Sequence, residues 1–378
     1  MAVSSTSSGS LKTGVCLSTD RPDNPFTGQV IFETDTGKVF VWAGSTWVNI
    51  GDTSGEGVQL PSGTTAERPS SPTAGQMRFN ETTGEPEYYH STAGWLKFRS
   101  APELTVDYLV IAGGGGGAVG SHGGGGGGAG GYRSSYSTEP SGGGASSEST
   151  LTLDYSTDYT VAVGAGGAGA TSGDGTVGSN STFDSIISYG GGYGGDPPGS
   201  GGSGGGARGS SGAGFISGGS GTANQGYKGG DSSNDTAAGG GGGAGAAGGD
   251  SAAGSVAGNG GDGVQSSITG TSTYRAGGGG GASTGNGTDG TGGLGGGGDA
   301  NSGSGTGESG DANTGGGGGG GDTGLTTAAG SGGSGVVIIR YSGSLTPTVS
   351  AGLTATTTTV GSDKVTVFTA GTGTVSWA

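Results

Sequence analysis

The sequence predicts an all-β protein combined with polyglycine II: N-terminal β-hairpin repeats, a glycine-rich domain of bundled polyglycine II helices edged by a small β-sheet, and a C-terminal β-hairpin. Three observations predict it. Of 378 residues 105 are Gly, and 88 of these fall between residues 113 and 341. Leu, Ile, Val and Phe together number 51, about 13% of the chain, well under the ~20% of an ordinary packed core. The apolar residues that remain sit in short alternating runs, the period of a half-buried strand.

The elements follow in order. Residues 1–15 read as a tail. An internal repeat with a shift of 47 residues sets Arg21-Pro22, Pro25, Gly28-Gln29, Phe32, Thr36-Gly37 and Trp42 over Arg68-Pro69, Pro72, Gly75-Gln76, Phe79, Thr83-Gly84 and Tyr89. In each copy a β-rich run, GQVIFET or GQMRFNE, meets a turn containing Thr-Gly and a second run follows. Residues 16–50 are thus hairpin repeat 1, and 51–101 a linker with hairpin repeat 2. A unit of about 35 residues is marginal in water, so it needs apolar surface from its sister repeat or from other chains.

PELTVDYLVIA at 102–112 and GVVIIRYSG at 335–343 are strand signals that flank the glycine-rich domain, residues 102–343. Within it, LTLDYSTDYTVAVG (151–164) alternates as a hairpin, and STFDSIISYGGG adds Phe183, Ile186 and Ile187 to a small sheet. In residues 344–378, SDKVTVFTAGTGTVSWA reads as a further hairpin, with Val365 and Val367 in one arm and Val375 and Trp377 in the other.

Ordering 88 glycines costs on the order of 100 kcal/mol or more, and side-chain burial cannot offset that here. Backbone hydrogen bonding can, if runs such as Gly113–Gly117, Gly123–Gly128 and Gly315–Gly321 adopt extended three-residue turns. Such helices make no internal hydrogen bonds and must bundle. At a net ~1 kcal/mol per bond, only a cooperative array holds.

Composition also bounds the partners. A formal charge of −16 works against a phosphate backbone, so no nucleic acid partner is expected. No run reaches the ~18–20 apolar residues of a membrane span, and the first residues have no apolar leader segment, so membrane insertion and export by signal peptide are not expected. One Cys, Cys16, excludes an intrachain disulfide framework and a multi-thiolate zinc site.

Catalytic signatures are missing. G-x-G-x-x-G recurs through composition alone, and no match follows an apolar strand and opens a helix. His90 and His122 lie far from Cys16 in sequence and read as polar surface residues. Asp174-Gly175, Asp262-Gly263 and Asp289-Gly290 lack a nine-residue calcium register and read as turns. Neither enzyme activity nor a cofactor is expected.

DYLVIAGGGGG, the GGAGG blocks, LTLDYSTDYTVAVGAGG and the terminal GGSGVVIIRY resemble the glycine-rich domain of tail fibres and receptor-binding adhesins of tailed bacteriophages, including those of marine cyanobacteria. The paired DRPDNPFTGQVIFETDTG and ERPSSPTAGQMRFNETTG modules are similar to short β-modules preceding such domains. The likeness covers most of residues 16–341; residues 342–378 continue past the family's usual end. It implies a virion protein assembled in the host cytoplasm, a homotrimer, and loops that bind a host cell-surface receptor, glycan or outer-membrane protein. It also implies contact with other phage tail or head proteins.

Aromatic and cationic interruptions of the glycine pattern are the candidate receptor contacts: Tyr132, Arg133, Tyr136, Tyr193, Phe215, Tyr227, Lys228, Tyr274 and Arg275. Tyr and Arg offer area at low entropic cost. Two other readings fit the same residues: a structural head, collar or connecting fibre protein without receptor contact, and an ice-binding protein with a flat glycine face.

Overall fold

The computed structural model describes residues 14–52, 60–91, 94–98, 103–210, 214–233, 236–285, 287–323 and 326–377. Most of the expected tail therefore lies outside the described residues. The chain divides into two compact units, Met1–Ser100 and Ala101–Ala378. The secondary structure is almost entirely β, with 3-10 turns at Ser18–Asp20, Thr65–Glu67 and Gly142–Gly144.

In the first unit each sequence repeat is a four-stranded sheet. Repeat 1 has strands β1 (Gly14–Cys16), β2 (Val30–Glu33), β3 (Lys38–Trp42) and β4 (Trp47–Asp52); repeat 2 has β5 (Ser62–Gly63), β6 (Met77–Asn80), β7 (Glu85–His90) and β8 (Gly94–Lys97). The expected second run of each hairpin is two strands, because the chain reverses at Gly44 (φ +93°) and Gly94 (φ +78°), backbone that favours Gly. A short first strand pairs parallel to the second in each copy, a partner the turn pattern does not announce.

These sheets bury charge and expose apolar side chains. In repeat 2 Arg78, Asn80 and Glu87 are buried on one face, with Arg68 donating to Glu87 at 3.1 and 2.5 Å. Register places Met77 beside Tyr88 and Phe79 beside Pro86 on the opposite face, where Met77 and Phe79 are exposed. In repeat 1 Ile31 and Glu33 are buried, Glu33 by Arg21, while Val48 and Ile50 are exposed.

The second unit begins with β9 (Glu103–Ile111), β10 (Val119–Gly120) and β11 (Tyr132–Ser134), followed by β12 (Leu151–Asp154), β13 (Tyr159–Ala162), β14 (Ser181–Phe183) and β15 (Ile186–Ser188). Short strands β16 (Val264–Ser266), β17 (Thr273–Arg275), β18 (Gly305–Thr306), β19 (Gly321–Asp322) and β20 (Thr326–Ala328) interrupt the glycine region. It ends with β21 (Val336–Ser342), β22 (Pro347–Val349), β23 (Leu353–Val360) and β24 (Asp363–Trp377). Ten of these strands form one sheet around β9, β21 and β24.

The two runs flanking the glycines meet directly: β9 and β21 pair antiparallel, Ile111 opposite Val336 and Tyr108 opposite Ile339. Alternation divides their side chains between two cores. Val106, Tyr108, Val110, Val337 and Ile339 pack with Phe183, Val375 and Trp377, whereas Leu109, Ile111, Val336 and Ile338 pack with Tyr132, Ile268 and Ala276.

Two expected hairpins are corrected. In 151–164, β12 pairs with β9 and β13 pairs with β24 and β14, because the polar turn between them lets each arm join a longer neighbour. Residues 363–377 do not fold back on themselves; they form one strand, bent at Gly371 (φ +98°), and the hairpin arm is β23, reversed at Gly361.

The glycine runs are extended and donate outward with a period of three. Gly113 and Gly116 donate to Ser179 and Thr176, Gly114 and Gly117 to Gly333 and Gly330, and Gly115 and Ala118 to Gly128 and Gly125. Their carbonyls accept in the same rhythm from Gly191 and Gly194, Gly167 and Ala170, and Gly318 and Gly321. One segment thus bonds six neighbours. A Cβ on Gly114, Gly115 or Gly116 would overlap a carbonyl oxygen of a neighbouring segment.

Candidate binding loops and a polar cleft

The loops that join the glycine segments carry the polar and aromatic side chains. Phe215 is 68% exposed and Tyr274 is 42% exposed, and Lys228 is exposed. Phe215 and Lys228 belong to one assembly: the Asp231 carboxylate accepts from the Gly218 amide (2.8 Å) and the Ser217 hydroxyl (3.3 Å) and pairs with Lys228 Nζ (3.0 Å), while Ile216 bridges Ser232.

Tyr132 is corrected as a receptor contact. It is wholly buried opposite Ile111, because the strand alternation that exposes neither Tyr132 nor Ser134 turns both toward the glycine side of the sheet. Burial pushes its phenol pKa well up.

The remaining candidates are all half-buried. Arg133 donates from Nε and Nη2 to Glu148 at 2.9 and 2.5 Å. Tyr136 lies 5.1 Å below the Arg340 guanidinium, a cation–π contact. Tyr227 is half-buried, its hydroxyl over Gly144, and Tyr193 is half-buried against Gly199. Arg275 is half-buried with Nη1 lacking a hydrogen-bond partner, and desolvation lowers its pKa.

A cleft of about 310 Å³ opens elsewhere on this unit, lined by Ser121, His122, Asp196, Arg208, Ser210 and Thr323 together with glycine backbone. Arg208 Nη1 lies 3.4 Å from Asp174 Oδ1 and Nη2 lies 3.8 Å from Asp196 Oδ2. Asp174 also accepts from the Asp196 amide at 3.1 Å, and Ser121 Oγ lies 2.9 Å from His122 Nδ1. The sequence reading set His122 aside as a surface residue and Asp174 as a turn. One signal was present: Arg208 is the only Lys or Arg between Arg133 and Lys228.

Among the described residues no group of three or more His, Cys, Asp or Glu is placed to hold a metal, and no helix is long and apolar enough to cross a membrane. The architecture defines a nearly all-β, glycine-rich protein. A family model described as a glycine-rich domain matches residues 91–342, so the chain belongs to that glycine-rich domain family. No curated protein matches the chain.

Proposed function

We propose that this protein is a phage virion fibre or adhesin that binds the host cell surface without covalent chemistry, through loops on a polyglycine II bundle. The observation that carries this reading is the three-residue hydrogen-bond rhythm with six neighbours per segment. That rhythm is what polyglycine II helices require, since they satisfy no backbone group internally. A scaffold of this kind is rigid without a large apolar core, and its loops are free to vary in sequence.

The exposed apolar faces of the two N-terminal sheets support their use in oligomerisation and virion attachment, with a homotrimer as the favoured assembly. No cluster of buried hydrophobic residues forms within that unit among the described residues, where aromatic side chains meet only in pairs such as Trp42–Trp47 and Tyr89–Trp95, and small sheets need more cover. Several copies would multiply weak single contacts with a glycan or outer-membrane protein.

The purified chain, fluorescently labelled, should bind host cells and block phage adsorption. Absence of binding by a folded, multimeric preparation rejects the adhesin reading. A second reading, a collar or connecting fibre without receptor contact, draws on β23, which pairs on one side only with β24 and offers an edge for another protein. Immunogold electron microscopy of the virion separates the two.

A further inference from the structure

We propose that the cleft lined by Ser121, His122, Asp196 and Arg208, with Asp174 paired to Arg208 beside it, is a saccharide subsite that takes one or two hydroxyl-bearing sugar rings of a surface glycan. The proposal rests on the adhesin reading and names its ligand class and place.

The cleft is built around glycines. A Cβ on Gly120 would lie 2.7 Å from Arg208 Cγ, one on Gly195 would lie 2.8 Å from Asp174 Cγ, and one on Gly209 would overlap the His122 carbonyl. The Arg208 and Asp174 side chains occupy space that only glycine leaves, and the His122 backbone closes on Gly209. The result is a row in which one guanidinium stands between two carboxylates. A carboxylate accepts and a guanidinium donates, so the row offers acceptor, donor and acceptor in sequence. A vicinal diol answers that row, because every sugar hydroxyl both donates and accepts.

The volume, about 310 Å³, is at the small end of ligand pockets and suits a sugar ring rather than a folded loop. The ring of Tyr193 lies beside Gly195, with Cε2 3.0 Å from the Cβ position there, adjacent to Asp174. It is a flat apolar surface next to Asp174, outside the residues that line the cleft. Other ligand classes fit less well. Two carboxylates repel phosphate; the Arg208 guanidinium between them already balances their charge, which disfavours a cation; and Val119, the one large apolar lining residue, is buried.

The experiment pairs two assays on the full chain. Binding to an array of purified bacterial surface polysaccharides and to free hexoses is measured alongside binding to host cells, for the native chain, Arg208→Lys and Asp196→Asn. Asp196 is exposed, so Asp196→Asn keeps the fold, checked by an unchanged melting temperature. The expected result is saccharide binding by the native chain, weakened about tenfold or more in both variants, with loss of a charge-assisted hydrogen bond as the cause. Cell binding that free hexoses compete supports the site and the adhesin together. Cell binding unaffected by either variant or by any saccharide overturns the site and leaves the adhesin standing. Saccharide binding without cell binding supports the site and overturns the adhesin. Binding in neither assay overturns both.

Discussion

Gly127 has no room for a Cβ because the carbonyl oxygen of Gly115, on an adjacent segment, occupies the position such an atom would take. Gly115 in turn donates its amide to Gly128 at 2.8 Å. The close approach and the hydrogen bond are one arrangement.

Replacing Gly127 with Ala must therefore separate two backbone segments. Overpacking in a filled interior costs about 1–3 kcal/mol, and a backbone obstacle cannot rotate aside, so the upper end or beyond is expected. Gly285→Ala is the control: open space surrounds that position, and only its φ of +58° opposes a side chain, at about 1–2 kcal/mol. Thermal unfolding of the two variants should rank Gly127→Ala as the less stable.

Amide exchange should follow the same network. The amides of residues 113–118, 124 and 126–131 donate to backbone carbonyls at 2.7–3.2 Å with few side chains nearby. Mass-spectrometric deuterium exchange should find them protected for hours. Peptide-like exchange there would remove the scaffold on which the functional reading stands.

Trp377 is 1% exposed, packs edge-on to Tyr341 at 5.2 Å and lies in the core shared by β9, β21 and β24. Trp377→Ala should cost about 3–5 kcal/mol, read as a lower melting temperature of the glycine-rich unit.

Acid sensitivity should arise at Glu148. Burial alone would raise its pKa, but hydrogen bonds from Arg133, Tyr108 (2.9 Å) and Ser141 (3.2 Å) outweigh it and lower the carboxyl below its ordinary value. A folded-state pKa below the unfolded one contributes stability above the unfolded value, about 4, and loses it as pH falls through the folded value. Melting temperatures from pH 7 down to pH 2 should drop in that window, and Glu148→Gln should flatten that part of the profile.

The apolar faces of the first unit give a fifth outcome. Phe79→Glu and Val48→Glu place charges on exposed positions, so neither disturbs a monomer core. Analytical ultracentrifugation should show the native chain as an oligomer and the double variant shifted toward monomer.

The strands were legible where side chains carry a pattern. PELTVDYLVIA and GVVIIRYSG declare themselves by β-branched density, and they are neighbours in the sheet. The 47-residue repeat was equally plain. The sequence did not reveal which glycine meets which, because identical residues without side chains carry no register. Tyr132 was misplaced for a related reason: in the run YRSSY the serines at 134 and 135 are as buried as the tyrosine, so polarity does not mark the inward face. The cleft escaped because its residues lie on separate loops far apart in the chain, from Ser121 through Arg208 to Thr323.

The pairing of β9 with β21 carries a consequence for biosynthesis. Strand β9 leaves the ribosome more than 220 residues ahead of its first lengthwise partner at Val336. During that interval only the short strands β11 and β12 can pair with it, and the rest of the intervening chain must stay dissolved. A leucine-rich stretch of equal length would clump while it waited. A polar, anionic and glycine-dominated one stays hydrated until the closing strands are translated, so the composition that weakens the core also protects the nascent molecule.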